Sequence, residues 1–306
     1  MRTAFIEQLI VEARKNPKLF LVVGDLGFSV VEPFAAEFPD RFLNAGVAEQ
    51  NMTGVAAGLA SEGYHVFTYS IGNFPTLRCL EQIRNDICYH NLPVTVVAVG
   101  AGMAYGNLGY SHHCVQDIGA LRGLPGITIL SPADPGETRH CVSWLSENPG
   151  PSYLRLGKAG EPTLHNQPVN LNGPTCIVRR GGDIAIVGTG SIISDAIAAA
   201  DVLANQGIKV DVFSLTKLAP SNDQDFSDLM SYKRIVTVEE HVSAGGIGEL
   251  LGRLIPRTID LDSISTTEEL CSAVGSQAWL RTQGMLGSQA IQNMIVCKQT
   301  NQDPKH

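Results

Sequence analysis

Short apolar runs that alternate with longer amphipathic segments are the feature that most constrains this fold. FLVVGDL (20–26), HVFTYSI (65–71) and PVTVVAVGA (93–101) have the composition of buried strands. Helical patterns, one beginning near 48 and one over 77–89, separate them. Strands that follow one another through helices run parallel in one sheet. The order therefore predicts an α/β fold.

The alternation lapses once, over KAGEPTLHNQPVNLNGP (158–174), which is rich in Pro, Asn and Gly. We interpret 159–175 as a linker. A chain of 306 residues is long enough for two domains with separate cores. After the linker the strand pattern resumes in DIAIVGTG, KVDVFSL and RIVTVEE. The sequence therefore predicts domains over 1–158 and 176–306, each a mostly parallel sheet flanked by helices.

Charge and composition exclude several classes of function. The net charge of −8 offers no basic surface for nucleic acid. No apolar run approaches the roughly 20 residues of a membrane span, and the N-terminal segment lacks the apolar centre of a signal peptide. The 7 cysteines include no close CxxC pair, so neither a zinc cluster nor a disulfide framework is indicated. We expect a soluble cytoplasmic protein that binds neither nucleic acid nor membranes.

A single carboxylate, Glu49, stands at the start of the helix of small residues that begins near Ala48. Gly54 and Gly58 in this helix permit another backbone to approach closely. A glutamate in a first helical turn ordinarily interacts with the helix macrodipole. A buried carboxylate, in contrast, needs a partner, because burial of an unpaired charge costs several kcal/mol. The residue type alone leaves both interpretations open.

Four segments together resemble the pyrimidine-binding domain of transketolases. They are RFLNAGVAEQNMTGVAAGLASEG (41–63), LEQIRNDICYHNLPV (80–94), GYSHHCVQDIGALRGLPGITILSPADPGET (109–138) and PSYLRLGK (151–158). The rest of the chain is similar, more weakly, to the transketolase C-terminal domain. The resemblance implies a thiamine-diphosphate-dependent transferase of carbohydrate metabolism. Such an enzyme moves a two-carbon ketol unit from a ketose, phosphorylated or otherwise modified, to an aldehyde acceptor.

The resemblance also implies roles for individual residues around the cofactor. Glu49 in AEQNM matches the glutamate that hydrogen-bonds the pyrimidine ring and activates the cofactor. His112 matches the active-site histidine that assists proton transfer or orients the substrate; a loop histidine that caps backbone groups is the alternative. Phe74 is expected to stack on the pyrimidine, with core packing as the alternative. Arg78 resembles a phosphate-binding arginine of deoxyxylulose-phosphate synthase, and we place it among the cofactor-binding residues.

Further positions match residues that hold the substrate. Arg2, Ser29 and Arg155 match residues that hold the sugar phosphate in transketolases. Arginine suits a phosphate because its planar fork can donate two hydrogen bonds at once. The alternative for both arginines is an ordinary surface charge. His112 is expected to contact the substrate as well, and His113 beside it is a further candidate.

Two positions depart from the transketolase pattern. Leu108 stands where typical transketolases carry an aspartate that recognises a sugar hydroxyl. Gly100 stands where they carry another substrate-binding histidine. The departures point to an unusual donor sugar.

The family's site for the diphosphate and its metal, a GDG sequence followed by asparagines, belongs to a separate N-terminal domain. VVGDLG (22–27) lacks the third glycine, so we interpret it as unrelated to that site despite the nearby Asn51. The resemblance therefore implies a split enzyme. Its N-terminal partner would hold the diphosphate and provide most of the Mg (or Ca) coordination, with no metal ligand in this chain. A heterotetramer with two copies of each subunit is expected.

Three other interpretations remain open at this point. The first is the β subunit of a 2-oxoacid dehydrogenase, which shares the two-domain plan. The second is a scaffold that keeps this fold without turnover. The third and weakest is an oxidoreductase that uses GTGSIISDA (188–196), which follows a strand but lacks the GxGxxG spacing.

Overall fold

A computed structural model of the chain describes residues 1–221 and 225–300. Within those residues the strands form one sheet of seven strands and one of five. The strands are β1 (Leu19–Val23), β2 (Phe42–Asn44), β3 (His65–Ile71), β4 (Val94–Val99), β5 (Thr128–Leu130), β6 (Ser152–Leu156), β7 (Thr175–Val178), β8 (Ile184–Gly188), β9 (Val210–Ser214), β10 (Lys217–Ala219), β11 (Arg234–Val242) and β12 (Asp260–Thr266).

Both sheets are mostly parallel, as the alternation predicts. The first has the order β10-β5-β6-β4-β3-β1-β2, and the second has the order β12-β11-β8-β9-β7. Only two of the described pairings are antiparallel, β10 with β5 and β7 with β9. Strand β10 follows the predicted linker in the chain and nevertheless joins the first sheet. The division into domains at 158 and 176 stays a prediction.

Helices connect the strands and cover the sheets. They are α1 (Arg2–Lys15), α2 (Glu32–Glu37), α3 (Glu49–Ser61), α4 (Leu80–Gln82), α5 (Asp117–Leu121), α6 (Pro135–Glu147), α7 (Ile193–Asn205), α8 (Ile247–Leu254), α9 (Glu268–Cys271), α10 (Gln277–Gln283) and α11 (Ser288–Thr300). The helix predicted over 77–89 is irregular: a 3₁₀ turn, Leu77–Cys79, precedes α4, and a π-helical segment, Ile83–Cys88, follows it. None of the helices in the described part of the chain is long and apolar enough to cross a membrane.

Helix α3 places its small apolar residues against the first sheet. Met52, Ala56 and Ala60 are buried in this contact. Gly54 and Gly58 lie on the opposite, exposed face, and a Cβ atom added to either would meet nothing within 4 Å. The expectation that another backbone approaches these glycines is therefore wrong within this chain.

A continuous core and a buried ion pair join the two sheets. One hydrophobic cluster extends from Met52 on α3 to Phe213 on β9. Beside it, Arg155 on β6 is only 2% exposed and donates from Nε to Asp117 Oδ2 over 2.7 Å. Its Nη2 donates to the carbonyl of Cys114 (2.6 Å) and to that of Glu240 on β11 (3.0 Å). Arg155 thus binds the first sheet to the second.

The electrostatics of this pair depend on complete burial. Burial by itself would raise the pKa of Asp117, but the charge of Arg155 outweighs it, and the pKa lies below its ordinary value. Tyr153 also donates to Asp117 Oδ2 over 2.6 Å. The carboxylate is therefore ionised and depends on its cation.

Substitution of Arg155 should destabilise the chain strongly. Arg155→Met leaves Asp117 charged, buried and without its cation, which costs about 3–5 kcal/mol in the free energy of unfolding. Denaturant unfolding monitored by circular dichroism measures this. Lys233→Met is the matched control, because Lys233 forms an exposed pair with Asp183. Equal losses in the two variants would contradict a central role for Arg155.

Candidate active site

Glu49 lies at the carboxyl edge of the first sheet, where open α/β sheets bind ligands. It is the first residue of α3 and is only 2% exposed. Its carboxylate lies close to the ends of β1 and β3. A Cβ atom added to Gly24, just after β1, would lie 3.3 Å from Ser70 Oγ and 3.6 Å from Glu49 Cγ. The backbone of Gly24 therefore leaves room for this carboxylate.

Arg78 compensates the charge of Glu49. Arg78 Nη1 lies 2.6 Å from Glu49 Oε2, while the other oxygen accepts only a long hydrogen bond of 3.4 Å from Ser70 Oγ. Arg78 stands on the 3₁₀ turn before α4 and is 46% exposed. The pair thus connects a buried acceptor with the protein surface.

Phe74 and His112 extend this pair into a row. The guanidinium carbon of Arg78 lies 4.5 Å from the centroid of the Phe74 ring. The edge of the His112 ring meets Phe74 with a centroid distance of 5.2 Å. The structure therefore brings Glu49, Arg78, Phe74 and His112 together as one contiguous cluster.

His112 is carried by the loop between β4 and α5, and backbone hydrogen bonds close the base of this loop. Gly102 and Cys114 exchange both N–H···O bonds, at 3.0 and 2.8 Å. Near the tip, Asn73 Nδ2 donates to the carbonyl of His113 over 2.6 Å and so ties the loop to the segment of Phe74. Burial, and to a smaller extent His113, lower the pKa of His112. His112 is therefore neutral near pH 7 and can accept a proton.

Two of the predicted substrate-binding residues are buried where no substrate reaches them. His113 is fully buried, because its side chain points into the interior while His112 faces the cluster. Arg155 donates to Asp117 and to two carbonyl groups inside the molecule. The predicted contacts of His113 and Arg155 with substrate are therefore wrong in this structure.

Arg2 and Ser29 lie outside the hydrogen bonds that the described residues make around Glu49. Arg2 begins α1, and its Nε atom is buried with no hydrogen-bond partner among residues 1–221 and 225–300. Ser29 is exposed in the loop after β1 at φ 63°, and its N–H donates to Glu32 Oε1 over 2.8 Å. Their roles toward the substrate stay predictions.

The GDLG segment after β1 forms a local turn. Asp25 Oδ1 accepts from Asn44 Nδ2 over 2.8 Å, and the Asp25 N–H donates to Asn44 Oδ1 over 3.1 Å. Asn51, the residue at a tempting spacing, plays no part in these bonds. Across residues 1–221 and 225–300, no group of three or more His, Cys, Asp or Glu side chains is arranged to hold a metal ion.

Sequence reasoning missed the reason for Gly100. Its φ is 99°, and an added Cβ atom would lie 2.3 Å from the ring of Tyr105. Tyr105 thus fills the space that a side chain at position 100 would need. The glycine directly after a strand was visible in the sequence, but its aromatic neighbour lies across a loop.

A cavity of about 930 Å³ lies elsewhere, between β12, α10 and α11. Its lining includes Arg281 and Asp195, which are paired with each other at 2.8 Å. It contains none of the four residues of the Glu49 cluster. We place the chemistry at the cluster, because a buried carboxylate and a neutral histidine converge there.

Comparisons with known proteins agree with this geometry. The family model described as transketolase, pyrimidine binding domain, matches residues 1–160, and the model for the transketolase C-terminal domain matches residues 173–262. One of the two subunits of an apulose-4-phosphate transketolase from Actinobacillus succinogenes is 35% identical over 82% of this chain and 81% of its own length. A 6-deoxy-6-sulfo-D-fructose transketolase subunit of a Clostridium species is 30% identical over 84% and 82%, respectively.

Solved structures show the same fold. A split-gene transketolase, described as an inactive β4 tetramer, superposes with a TM-score of 0.83 at 31% identity over 96% of each chain. A transketolase variant from Pichia stipitis superposes with a TM-score of 0.81 at 22% identity, over 99% of this chain and 46% of its own. The predicted fold and the predicted family are confirmed. The chain belongs to the transketolase family, and within it corresponds to the subunit of split transketolases that carries the pyrimidine-binding and C-terminal domains.

Proposed function

We propose that this chain, assembled with an N-terminal subunit, transfers a two-carbon ketol unit from a ketose to an aldehyde with thiamine diphosphate as cofactor. The observation that carries the proposal is the buried Glu49 carboxylate, which shares one cluster with Phe74 and His112. The similarity to subunits of split transketolases supports the same reaction class.

The cluster fits the pyrimidine half of the cofactor. One oxygen of Glu49 accepts only the long bond from Ser70, so it can accept a shorter one from a ring nitrogen. The ring of Phe74 offers an aromatic face beside it. When bound, thiamine diphosphate supplies a nucleophilic carbon that accepts the two-carbon unit. Glu49 would orient the ring and accept a hydrogen bond from its nitrogen.

The diphosphate half finds no comparable site in the described part of this chain. No metal-ligand group is present there, and the GDLG turn is closed on Asn44. The proposal therefore assigns the diphosphate and the Mg or Ca ion to the partner subunit.

The surroundings of the cluster favour a protein partner. Phe28 and Val47 are each 75% exposed, and Tyr110 and Leu108 are 59% and 57% exposed on the His112 loop. Apolar side chains of this size at the rim of a site are typical of an interface. We propose two copies of each subunit, with this face against the partner.

Arg78 has a separate part in the proposal. It neutralises Glu49 while the ring is absent, and it must share or release the carboxylate when the ring binds. Half of its side chain faces solvent on an irregular helical segment, so such a movement displaces no core residue.

The substrate would be a ketose with an anionic group. The names of two relatives include a 4-phosphate and a 6-sulfo sugar. In this chain, Arg2 has a buried Nε donor without a partner among the described residues, and it is the cation that we propose for such a group. Ser29 is proposed as a second contact.

We place this reaction in cytoplasmic carbohydrate metabolism. The substrates named for the relatives are sugars. Cys79, Cys88 and Cys114 are buried thiols, as expected in a reducing compartment.

Cofactor binding and turnover test the proposal. We expect calorimetric titration of thiamine diphosphate with Mg to show binding to the assembled pair but not to the lone chain. In the pair, Glu49→Gln should lower kcat about 10²- to 10⁴-fold, because proton transfer at the cofactor depends on this group. Glu62→Gln, at the exposed end of the same helix, should retain activity.

Two results would contradict this proposal. Tight binding to the lone chain would show that the diphosphate site is not supplied by a partner. Turnover of pyruvate or branched-chain 2-oxoacids, with none of ketose plus aldose, would favour the β subunit of a 2-oxoacid dehydrogenase instead.

A double-mutant cycle tests the pairing of Arg78 with Glu49. Arg78→Met should cost about 1–3 kcal/mol in the free energy of unfolding of the lone chain, because the buried carboxylate loses its donor. In a Glu49→Gln background the same substitution should cost little, since no buried charge remains. Additive effects would show that the pair does not interact. Arg253→Met, which removes an exposed pair with Glu249, is the control for loss of a surface arginine.

The pH dependence of turnover tests His112. Its lowered pKa keeps it neutral to below its ordinary value of 6.5, so kcat/KM should fall only as the pH drops through that lower range. His112→Gln should remove this acid limb and lower kcat about 10²-fold or more. His90→Gln, an exposed histidine, should leave the profile unchanged. Persistence of the limb in His112→Gln would assign it to another group.

A further inference from the structure

The loop that carries His112 packs against the second half of the chain. Its Gly106 carbonyl accepts from the Gly275 N–H over 3.2 Å. A Cβ atom added to Gly106 would lie 2.2 Å from Leu280 Cδ1 on α10, and one on Gly109 would lie 3.2 Å from Val274. The segment 274–280 therefore forms a wall directly behind the loop.

The base of the loop rests on β11. An added Cβ atom on Gly102 would lie 2.5 Å from Cβ of Glu240. The Val242 N–H donates to the Val115 carbonyl over 2.9 Å. Met103 and Val115 are buried in the hydrophobic cluster of the second sheet. Both ends of the loop are thus fixed by residues outside the pyrimidine-binding half.

The carboxylate of Glu240 connects the wall to this base. Glu240 is 3% exposed, and its oxygens accept from Arg281 Nη2 (2.8 Å) and Nε (3.1 Å). Gln277 Nε2, at the start of α10, donates to the same carboxylate over 2.9 Å. Arg281 also binds Asp195 on α7 over 2.8 Å. These bonds hold α10 in one place relative to β11.

We propose that Glu240 and Arg281 are positioning residues for the transfer reaction: they hold α10 against Gly106 and so fix the loop that presents His112. The inference rests on the proposed function. It gives the C-terminal domain a direct part in the active site, although that domain contributes no side chain to the Glu49 cluster. Displacement of a reacting group by about 1 Å can lower a rate 10²-fold, so a loop of short 3₁₀ turns needs such support.

A wedge between the loop and α10 tests the inference in the assembled enzyme. Gly106→Ala places a methyl group against Leu280 without demanding a positive φ. We expect kcat per bound cofactor to fall about 10-fold or more, the Kd for thiamine diphosphate to change less than twofold, and amide exchange over 103–114 to quicken. Gly123→Ala is the matched control, since an added Cβ atom there meets nothing within 4 Å.

A second variant leaves the loop sequence intact. Glu240→Gln keeps the size of the side chain but weakens its hold on Arg281, and it should lower kcat and quicken exchange over 103–114 in the same direction. Glu249→Gln, which loses an exposed pair with Arg253, is its control. A purely structural role would lower the melting temperature and the fraction of folded enzyme, with kcat per bound cofactor unchanged.

The inference is overturned if Gly106→Ala and Glu240→Gln match their controls in kcat per bound cofactor and in exchange over the loop. It is distinguishable from the proposed function. If the unsubstituted pair transfers no ketol unit, the proposed function fails, and the exchange measurement still decides whether α10 and Glu240 hold the loop.

Discussion

The ion pair between Arg155 and Asp117 is the interaction on which the arrangement of this molecule depends. It is fully buried, so each charge is tolerated only because the other is present. The same guanidinium also binds carbonyl groups of the His112 loop and of β11. One side chain thereby sets three elements relative to one another: the first sheet, the loop and the second sheet.

A second buried charge is arranged for function instead. Glu49 is as deeply buried as Asp117, but its cation, Arg78, is half exposed and stands on a helix with a π-helical segment. Asp117 is enclosed by a buried arginine and tyrosine, whereas Glu49 keeps one oxygen almost unengaged. The difference suits their tasks, because a structural carboxylate needs complete pairing and a cofactor ligand needs capacity to accept a new donor.

The sequence allowed the α/β architecture and the cluster of Glu49, Phe74, Arg78 and His112 to be predicted, since strand alternation and family motifs are local patterns. It did not separate His112 from His113, because which of two adjacent side chains faces inward depends on packing across the loop. Arg155 matched a phosphate-binding position, yet its neighbour Asp117 lies 38 residues away in the chain. Residue type indicated charge, and only the fold shows what that charge meets.

The departures at Gly100 and Leu108 acquire a physical meaning in the structure. Tyr105 occupies the space beside Gly100, so a histidine there would displace an aromatic ring. Leu108 is 57% exposed on the same loop and presents an apolar surface where transketolases typically carry a carboxylate. Because Arg155 is also committed to the interior, the polar contacts to a sugar must come from His112, from the Arg2 and Ser29 region, or from the partner. Substrate selection in this chain is therefore set by fewer polar groups of its own, and the partner subunit gains weight in it.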